Sequence, residues 1–488
     1  WVVKGQTKDY EKRSPLEKKE IKSKVLDFIG FVKDETAVTN ILNSLAITLG
    51  EKATVIKKQL KDRKKDYSDE LADHITNDPI VPFLDTNSNT RCYYDSIKDV
   101  LNFGVDKDFI RELMLDYGLI APQEYPTFTV KFDPKDMGGK FDLYHKTFNL
   151  FTPTEYMFLE KNNTAIDLET SCQRIYSLLK NLIPVGVERN HFINWLSYIF
   201  ATRNKVDTAW VFQGTQGSGK NLFFKSIIVP LFGKTQTIVI DDDRLQSDFN
   251  GYLKNKLFIA FNEVANDETK TRRSVKSKIK SLVSEESVII NEKHVKVFEM
   301  HNFANLLFFS NEALPLLVER QDRRFNIIET GRPLKELAVF KKNPKGFIEE
   351  IGKEIKQFAQ YLMNYKYDES IVNDVIENET KNNIKELSMN KFELFATKLK
   401  ENKWEWFEQF YPMQKRPSDL DFIKNQYLTE EELKSKKVEQ GKMLRTYGLY
   451  GDYYSIDQGK LTRQLKMYDI SKTRERRIES STYYYVWE

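Results

Sequence analysis

The octad Gly214-Thr215-Gln216-Gly217-Ser218-Gly219-Lys220-Asn221 constrains this chain more than any other feature. It follows the apolar run Ala209-Trp210-Val211-Phe212 and precedes an apolar stretch with helical character, residues 222–228. Strand, glycine-rich turn and helix in that order make a phosphate cradle. Glycines let backbone N–H groups curl round an anion, the helix N-terminus adds its dipole, and Lys220 reaches the β/γ oxygens. Where Ser or Thr usually offers Mg²⁺ a hydroxyl, Asn221 offers an amide oxygen, an acceptable but longer ligand. Gly214, Gly217, Ser218, Gly219, Lys220 and Asn221 are therefore the candidate nucleotide-binding residues, with ATP and Mg²⁺ as the expected cofactors.

Two more apolar runs end in polar residues where an ATPase needs them. Residues 257–261 lead into Asn262 and Glu263. Glu263 suits the residue that polarises the attacking water; Asn262 stands where a metal-binding Asp is expected and brings no charge. Residues 305–310 lead into Asn311, whose amide would lie beside the γ-phosphate and sense it. Asp322-Arg323-Arg324 then precedes a strand-like run, residues 325–329. A guanidinium there is either solvated or salt-bridged, or in a ring ATPase it reaches a neighbour's γ-phosphate, a contact worth roughly 10³–10⁵ in rate.

These four elements, in this order and rough spacing, resemble superfamily 3 helicases. Residues 195–324 are similar to the poxvirus-type primase-helicase branch found in phages, plasmids and other mobile elements. The resemblance implies an α/β AAA+ P-loop core that assembles into a ring, expected to be a hexamer, and moves single-stranded DNA. It assigns Lys220 as the Walker A lysine, Glu263 as the Walker B glutamate, Asn311 as the sensor and Arg323 as the arginine finger, with Arg324 as the fallback. Asn221 and Asn262 would be the metal ligands, and both depart from the family's pattern. Such motors project a β-hairpin into the channel just before the sensor strand. Residues 287–290 and 295–298 around a polar tip, 291–294, read as a hairpin, and the resemblance puts Lys293 and His294 on DNA phosphates. Lys276, Lys278 and Lys280, on the preceding helix, either line that channel or form a solvated face.

The rest of the chain divides around this core. From Ser14 to Gly118 the pattern is helical, with Val25, Phe28, Ile29, Val32 and then Ile41, Leu42, Leu45 at helical spacing. Its charged stretch, 57–65, is either a solvated helix face or a nucleic-acid contact. Residues 127–132 and 147–151 read as a small β element, and 168–200 as two helices broken near Pro184 and Gly186. Residues 347–365 form another helix, and 367–383 read as a polar, acidic linker. The expected domains are an N-terminal helical bundle or connector (1–118), a β element with a helical collar (119–205), the core (206–335), a helical lid and linker (336–383) and a C-terminal module (384–488).

That module carries a capping box at Thr429 and Glu432. A later helix buries Leu461 and Leu465 and turns Arg463, Gln464 and Lys466 outward, and a basic two-stranded ribbon containing Arg476 and Arg477 follows. Helices followed by a basic hairpin resemble a winged helix, whose third helix would enter the major groove of duplex DNA while the wing rests on backbone. The same shape also serves protein contacts.

Composition adds limits. The 488 residues suggest about three domains, and 40% hydrophobic with 13% aromatic residues exclude wholesale disorder. Lys+Arg at 76 against Asp+Glu at 72 gives only +4, so any basic surface requires the signs to be segregated. Cys92 and Cys172 make neither a disulfide framework nor a zinc site, and five histidines are scattered. No run of ~18 apolar residues predicts a membrane span, so the expectation is a soluble protein in the cytoplasm of a bacterial host. The sequence starts at Trp1, not Met, and no strand with spaced carboxylates precedes Pro126; an upstream primase or polymerase domain is expected to have been removed. Two functions remain open: an ATP-driven DNA helicase in phage or mobile-element replication, or a nucleotide-stabilised DNA-binding ring that supports an attached primase or polymerase. A small-molecule kinase would share only the phosphate loop.

Overall fold

The computed structural model describes residues 77–122, 124–241, 244–245, 247–262, 270–293, 297–312, 318–319, 321–411, 417–450, 458–476 and 481–488, together with positions 42, 45, 46, 52, 54–56 and 75. Contacts divide the chain into two units, Trp1–Phe158 and Leu159–Glu488.

The first unit is built on hairpins that aspartates turn. Its strands are β1 (Ile80–Asp85), β2 (Thr90–Asp95), β3 (Val100–Phe103), β4 (Thr127–Lys131), β5 (Phe141–Asp142) and β6 (Thr147–Asn149), with α1 (Lys107–Asp116) between β3 and β4. They form one sheet in the order β3-β2-β1-β4-β6-β5. Buried Asp85 ends β1 and accepts the N–H of Asn87, Ser88 and Val130 at 3.2, 3.0 and 3.1 Å. Buried Asp95 does the same for Ile97 and Lys98 at 3.1 and 3.0 Å. The helical expectation for 14–118 is therefore corrected over 80–103. Short apolar runs carry no period of their own, and turn-forming Asp, Asn and Ser decide for strands. Leu42 and Leu45 are helical and buried; Ser14, Val25, Phe28, Ile29, Val32, Ile41 and the charged run 57–65 lie outside the described residues.

Strand β1 is covered on both faces. Ile80 packs with Ile110 and Met114 of α1. Phe83 meets Phe128 edge-on at 5.6 Å and stacks on Phe148 at 5.4 Å. Replacing fully buried Phe83 by Ala should cost this unit about 3–5 kcal/mol, read as a lower urea midpoint; a loss under about 1 kcal/mol would mean the aromatic cluster is not its core.

The second unit opens with α2 (Leu168–Ser171), α3 (Gln173–Leu182) and α4 (Gly186–Thr202), three helices where two were expected: the break at Pro184 is present and a second falls at Cys172. Five strands follow: β7 (Ala209–Gln213), β8 (Thr237–Asp241), β9 (Phe258–Asn262), β12 (Asn305–Ser310) and β13 (Phe325–Glu329), with a hairpin, β10 (Ser287–Ile290) and β11 (Phe298–His301), ahead of β12. The five pair in parallel in the order β13-β7-β12-β9-β8. Near-continuous apolar strands suit a parallel sheet buried on both faces. After β7 come α5 (Lys220–Phe223), a π-helical turn (Phe224–Ile228) and α6 (Val229–Phe232); α7 (Lys270–Ser284) precedes the hairpin. One face packs Phe192 against Trp210 at 5.0 Å and Trp195 against Phe258 at 5.8 Å. The other packs Val211, Ile259, Phe261, Leu306 and Phe308 with Ile279 and Val283 of α7.

After β13 the chain forms α8 (Ala338–Lys342), α9 (Pro344–Asn364) and α10 (Glu379–Ser388). The expected linker at 367–383 is a strap bonded to the core. Asn194 and Asp368 exchange two hydrogen bonds, at 3.0 and 2.7 Å. The buried amide oxygen of Asn326 on edge strand β13 accepts from Ile376 N at 2.8 Å, and Asn378 donates to Ile327 O at 2.8 Å. Polar side chains here satisfy the exposed edge of a sheet, which reads in sequence like solvation.

The C-terminal part contains α11 (Lys391–Lys400), α12 (Trp404–Glu408), α13 (Pro417–Gln426), α14 (Glu430–Lys434), β14 (Lys437–Glu439), α15 (Gln440–Tyr450), α16 (Gln458–Lys466), β15 (Ser471–Arg476) and β16 (Ser481–Val486). Its antiparallel sheet runs β14-β16-β15. The Thr429–Glu432 capping box is present. Leu461 and Leu465 are buried and Arg463 and Lys466 exposed; Gln464, expected outward, is half-buried. Among the described residues no helix is long and apolar enough to cross a membrane.

Candidate active site

The glycine-rich sequence 214–221 forms the turn between β7 and α5. Gly214, Gly217 and Gly219 all have positive φ, at 133°, 81° and 108°. A Cβ on Gly214 would lie 2.6 Å from Thr330 Oγ1, and one on Gly219 2.5 Å from Leu178 Cδ1, so backbone conformation and space both require glycine. The loop is tied to the segment after β13. Thr330 N donates to Gln213 O at 2.7 Å and Leu334 N to Gly217 O at 2.9 Å. The Asn181 amide bridges the carbonyls of Ser218 and Arg332, both at 2.9 Å. The buried hydroxyls of Ser218 and Thr330, one in the loop and one beside it, have no hydrogen-bond partner among the described residues.

Lys220 is only 7% exposed. A buried ammonium must be paired or hydrogen-bonded. Its Nζ donates to Gly214 O at 2.8 Å, Thr215 O at 3.3 Å and Asn311 Oδ1 at 2.8 Å. The last contact exists because β12 lies between β7 and β9, so its C-terminal end emerges beside the loop. Loop lysine and Asn311 are thereby brought together. Asn221 is exposed on the first turn of α5, and half-buried Asn262 closes β9. In register with Asn262 on β8 stands exposed Asp241, a carboxylate the sequence reading did not single out. Glu263 lies outside the described residues.

The two arginines behave differently. Arg324 Nε donates to Ser284 Oγ at 2.7 Å, and its guanidinium lies 3.9 Å from buried Asp322. Arg323 is exposed, and its side chain makes no hydrogen bond or ion pair with any described residue.

The hairpin before β12 is present. The described return strand is Phe298–His301, which overlaps the expected 295–298 at Phe298 and pairs that residue with Ile290. Residues 294–296 lie outside the described residues, His294 among them, and Val297 belongs to no strand. Exposed Lys293 holds its Nζ 5.4 Å above the ring of Phe249, itself 42% exposed. Asn250 and Asn291 bond each other at 3.0 and 2.7 Å, and Lys254 pairs with Glu292 at 2.7 Å, locking the segment around Phe249 to the hairpin. Phe298 is 39% exposed beneath Lys254. These aromatics were missed because they sit outside the tip; an isolated Phe in a polar stretch was their one signal. Lys278 is bonded to Ser247 O and Lys280 to Glu319, so both have protein partners; the Lys276 side chain lies outside what is described.

In the C-terminal part, Lys472 Nζ and the Arg474 guanidinium lie 4.1 and 5.7 Å from the exposed ring of Tyr483. Arg476 ends β15, and Arg477 lies outside the described residues.

Comparison with known proteins places this geometry. Residues 212–324 match a family of unknown function (DUF5906). The chain is 34% identical over 283 residues to the DNA primase-polymerase of Nitratiruptor phage NrS-1, an alignment covering 58% of this chain and 38% of that protein. The two chains are homologous. Two apo structures of the NrS-1 C-terminal region share the fold, with TM-scores of 0.70 and 0.69 at 24% identity, covering 86% of this chain and 98% and 99% of theirs. This chain thus spans well under half the length of the NrS-1 protein. The DUF5906 match ends at Arg324 and contains the loop, Asn262, the hairpin, Asn311 and both arginines.

Gly214→Ala should weaken nucleotide binding roughly tenfold or more through backbone strain, measured with a fluorescent nucleotide. Unchanged affinity would show that this loop conformation does not hold the ligand.

Proposed function

We propose that this chain is the ATP-driven DNA motor of a phage replication protein, a superfamily 3-type AAA+ helicase that works as a ring, expected to be a hexamer, in the host cytoplasm. The observation that carries this reading is the 2.8 Å contact between Lys220 and Asn311 at the mouth of a loop with three positive-φ glycines. Loop amides and Lys220 would hold the β- and γ-phosphates of ATP, and Asn311 would sense the γ-phosphate. Mg²⁺ takes few protein ligands and keeps phosphate oxygens and water, so the amide oxygens of Asn221 and Asn262 fit it without a carboxylate cage; when bound it neutralises phosphate charge. Glu263 would orient the attacking water. Exposed Arg323 serves as the finger, since Arg324 is engaged with Ser284 and Asp322.

Single-stranded DNA would be gripped by Lys293 and His294 with the aromatic faces of Phe249 and Phe298, a cation beside stacking platforms. The C-terminal helices and ribbon would act as a winged helix on duplex DNA through Arg463, Lys466, Arg476 and Arg477, with Lys472 and Arg474 held over Tyr483. Similarity to a phage DNA primase-polymerase supports a place in phage DNA replication beside a priming or polymerising activity. The neutral pair Asn221 and Asn262 favours the second reading, a nucleotide-stabilised DNA ring with little turnover.

DNA-stimulated ATP hydrolysis separates the two. Lys220→Ala should abolish nucleotide binding. Glu263→Gln and Arg323→Ala should keep binding and lose turnover, and mixing Arg323→Ala with Lys220→Ala subunits should restore part of it. Wild-type turnover no faster than Glu263→Gln would leave only the non-hydrolysing ring. Lys293→Ala should weaken single-stranded DNA binding and reduce its log–log salt slope by about 0.7, one phosphate contact; an unaltered slope would remove the hairpin from the interface.

A further inference from the structure

The strap that follows α9 does more than cover a sheet edge, because it ends on the turn that carries Arg323. Both neighbours of Arg323 are fixed. Asp322 Oδ1 accepts the N–H of Arg324 at 2.8 Å and of Phe325 at 3.0 Å. The Asp322 carbonyl accepts from Lys381 Nζ at 3.1 Å. Lys381 is 0% exposed, and among the described residues its other acceptor is Glu377 Oε1, at 2.9 Å, whose second oxygen holds Lys385 at 2.6 Å. Burying an ammonium costs several kcal/mol unless geometry compensates it, so a position that needed only volume would be filled more cheaply by Met or Leu. Here the charge is shared between the Glu377 carboxylate and one main-chain carbonyl, that of Asp322, next to an arginine whose own side chain is exposed.

The same helix reaches the C-terminal part. Near the end of α10, Glu386 pairs with Lys398 of α11 at 2.8 Å, while Ser388 accepts Val318 N from the core at 3.0 Å. One ten-residue helix therefore touches the arginine turn at its start and the winged-helix-like module at its end.

We propose that Lys381 is a positioning residue for Arg323, and that α10 couples duplex DNA bound at the C-terminal module to the placement of Arg323 against the nucleotide of a second copy of this chain. This rests on the motor reading above. Lys381→Met keeps the length and removes the charge. In the full chain it should leave ATP affinity within about twofold and preserve a cooperative thermal melt, while DNA-stimulated turnover falls about 10²-fold, the usual cost of misplacing a catalytic group by about 1 Å. Lys381→Arg should recover much of the loss. Lys398→Met, which cuts the α10–α11 pair, should retain basal turnover and lose the stimulation by duplex DNA. If Lys220→Ala and Arg323→Ala abolish turnover yet Lys381→Met stays within threefold of wild type, the positioning role is overturned and the motor reading stands. Stimulation that survives Lys398→Met overturns the coupling. If all of these variants turn over ATP like wild type, the motor reading itself fails. Should Lys381→Met lose its cooperative melt, Glu377→Gln decides instead: a tenfold loss supports the role, and unchanged turnover overturns it.

Discussion

The Lys220 ammonium meets the Asn311 amide oxygen at 2.8 Å because β12 is threaded between the strand that launches the glycine-rich loop and the strand that ends at Asn262. In a parallel sheet the carboxyl ends of neighbouring strands open on one edge, and ligands bind in the crevice there. Inserting β12 at that point sets a hydrogen-bonding side chain beside the lysine without any contact local in sequence. The loop's positive-φ glycines would build an anion cradle in many settings. The intervening strand makes it a site with a second polar group facing the same space.

Buried amides hold this arrangement. Asn181 joins the loop to the segment after β13, Asn305 fixes the entry to β7 by accepting Val206 N at 2.9 Å, and Asn326 and Asn378 clasp the strap to the edge strand. Each such bond contributes about 0.5–1.5 kcal/mol net, whereas leaving a buried partner unmade costs about 1–3 kcal/mol. Their value is therefore in specifying one docking of the pieces more than in total stability. The strap shows this from both sides, since Asn378 donates to the backbone of β13 at Ile327 and Asn326 of β13 accepts from the strap backbone at Ile376.

This also explains what the sequence made legible. The loop could be read because it depends on local conformation at fixed spacing, and the Thr429–Glu432 cap for the same reason; Asn311, whose contact with Lys220 is non-local, was reached only through the order of elements that the resemblance supplied. The β1–β3 hairpins were missed although Asp85-Thr-Asn-Ser-Asn and Asp95-Ser-Ile-Lys-Asp carry turn residues ten positions apart, because neither flanking run is long enough to show a period. The hairpin's described return strand runs on to His301, beyond the Val-Lys-Val-Phe alternation from which it was read. The strap read as a linker because hydrogen bonding to a distant backbone leaves no trace in composition. Phe249 escaped because its partner, Lys293, lies far away in the chain.

The most direct measurement of the central claim is an experimental structure of the full chain with Mg²⁺ and a non-hydrolysable ATP analogue. The account predicts that Lys220 Nζ leaves the carbonyls of Gly214 and Thr215 for the β/γ oxygens, with the Asn311 amide in hydrogen-bond reach of the γ-phosphate and Arg323 of an adjoining copy facing it. Nucleotide bound elsewhere, or Lys220 still bonded to its own loop with the analogue present at saturation, would contradict it.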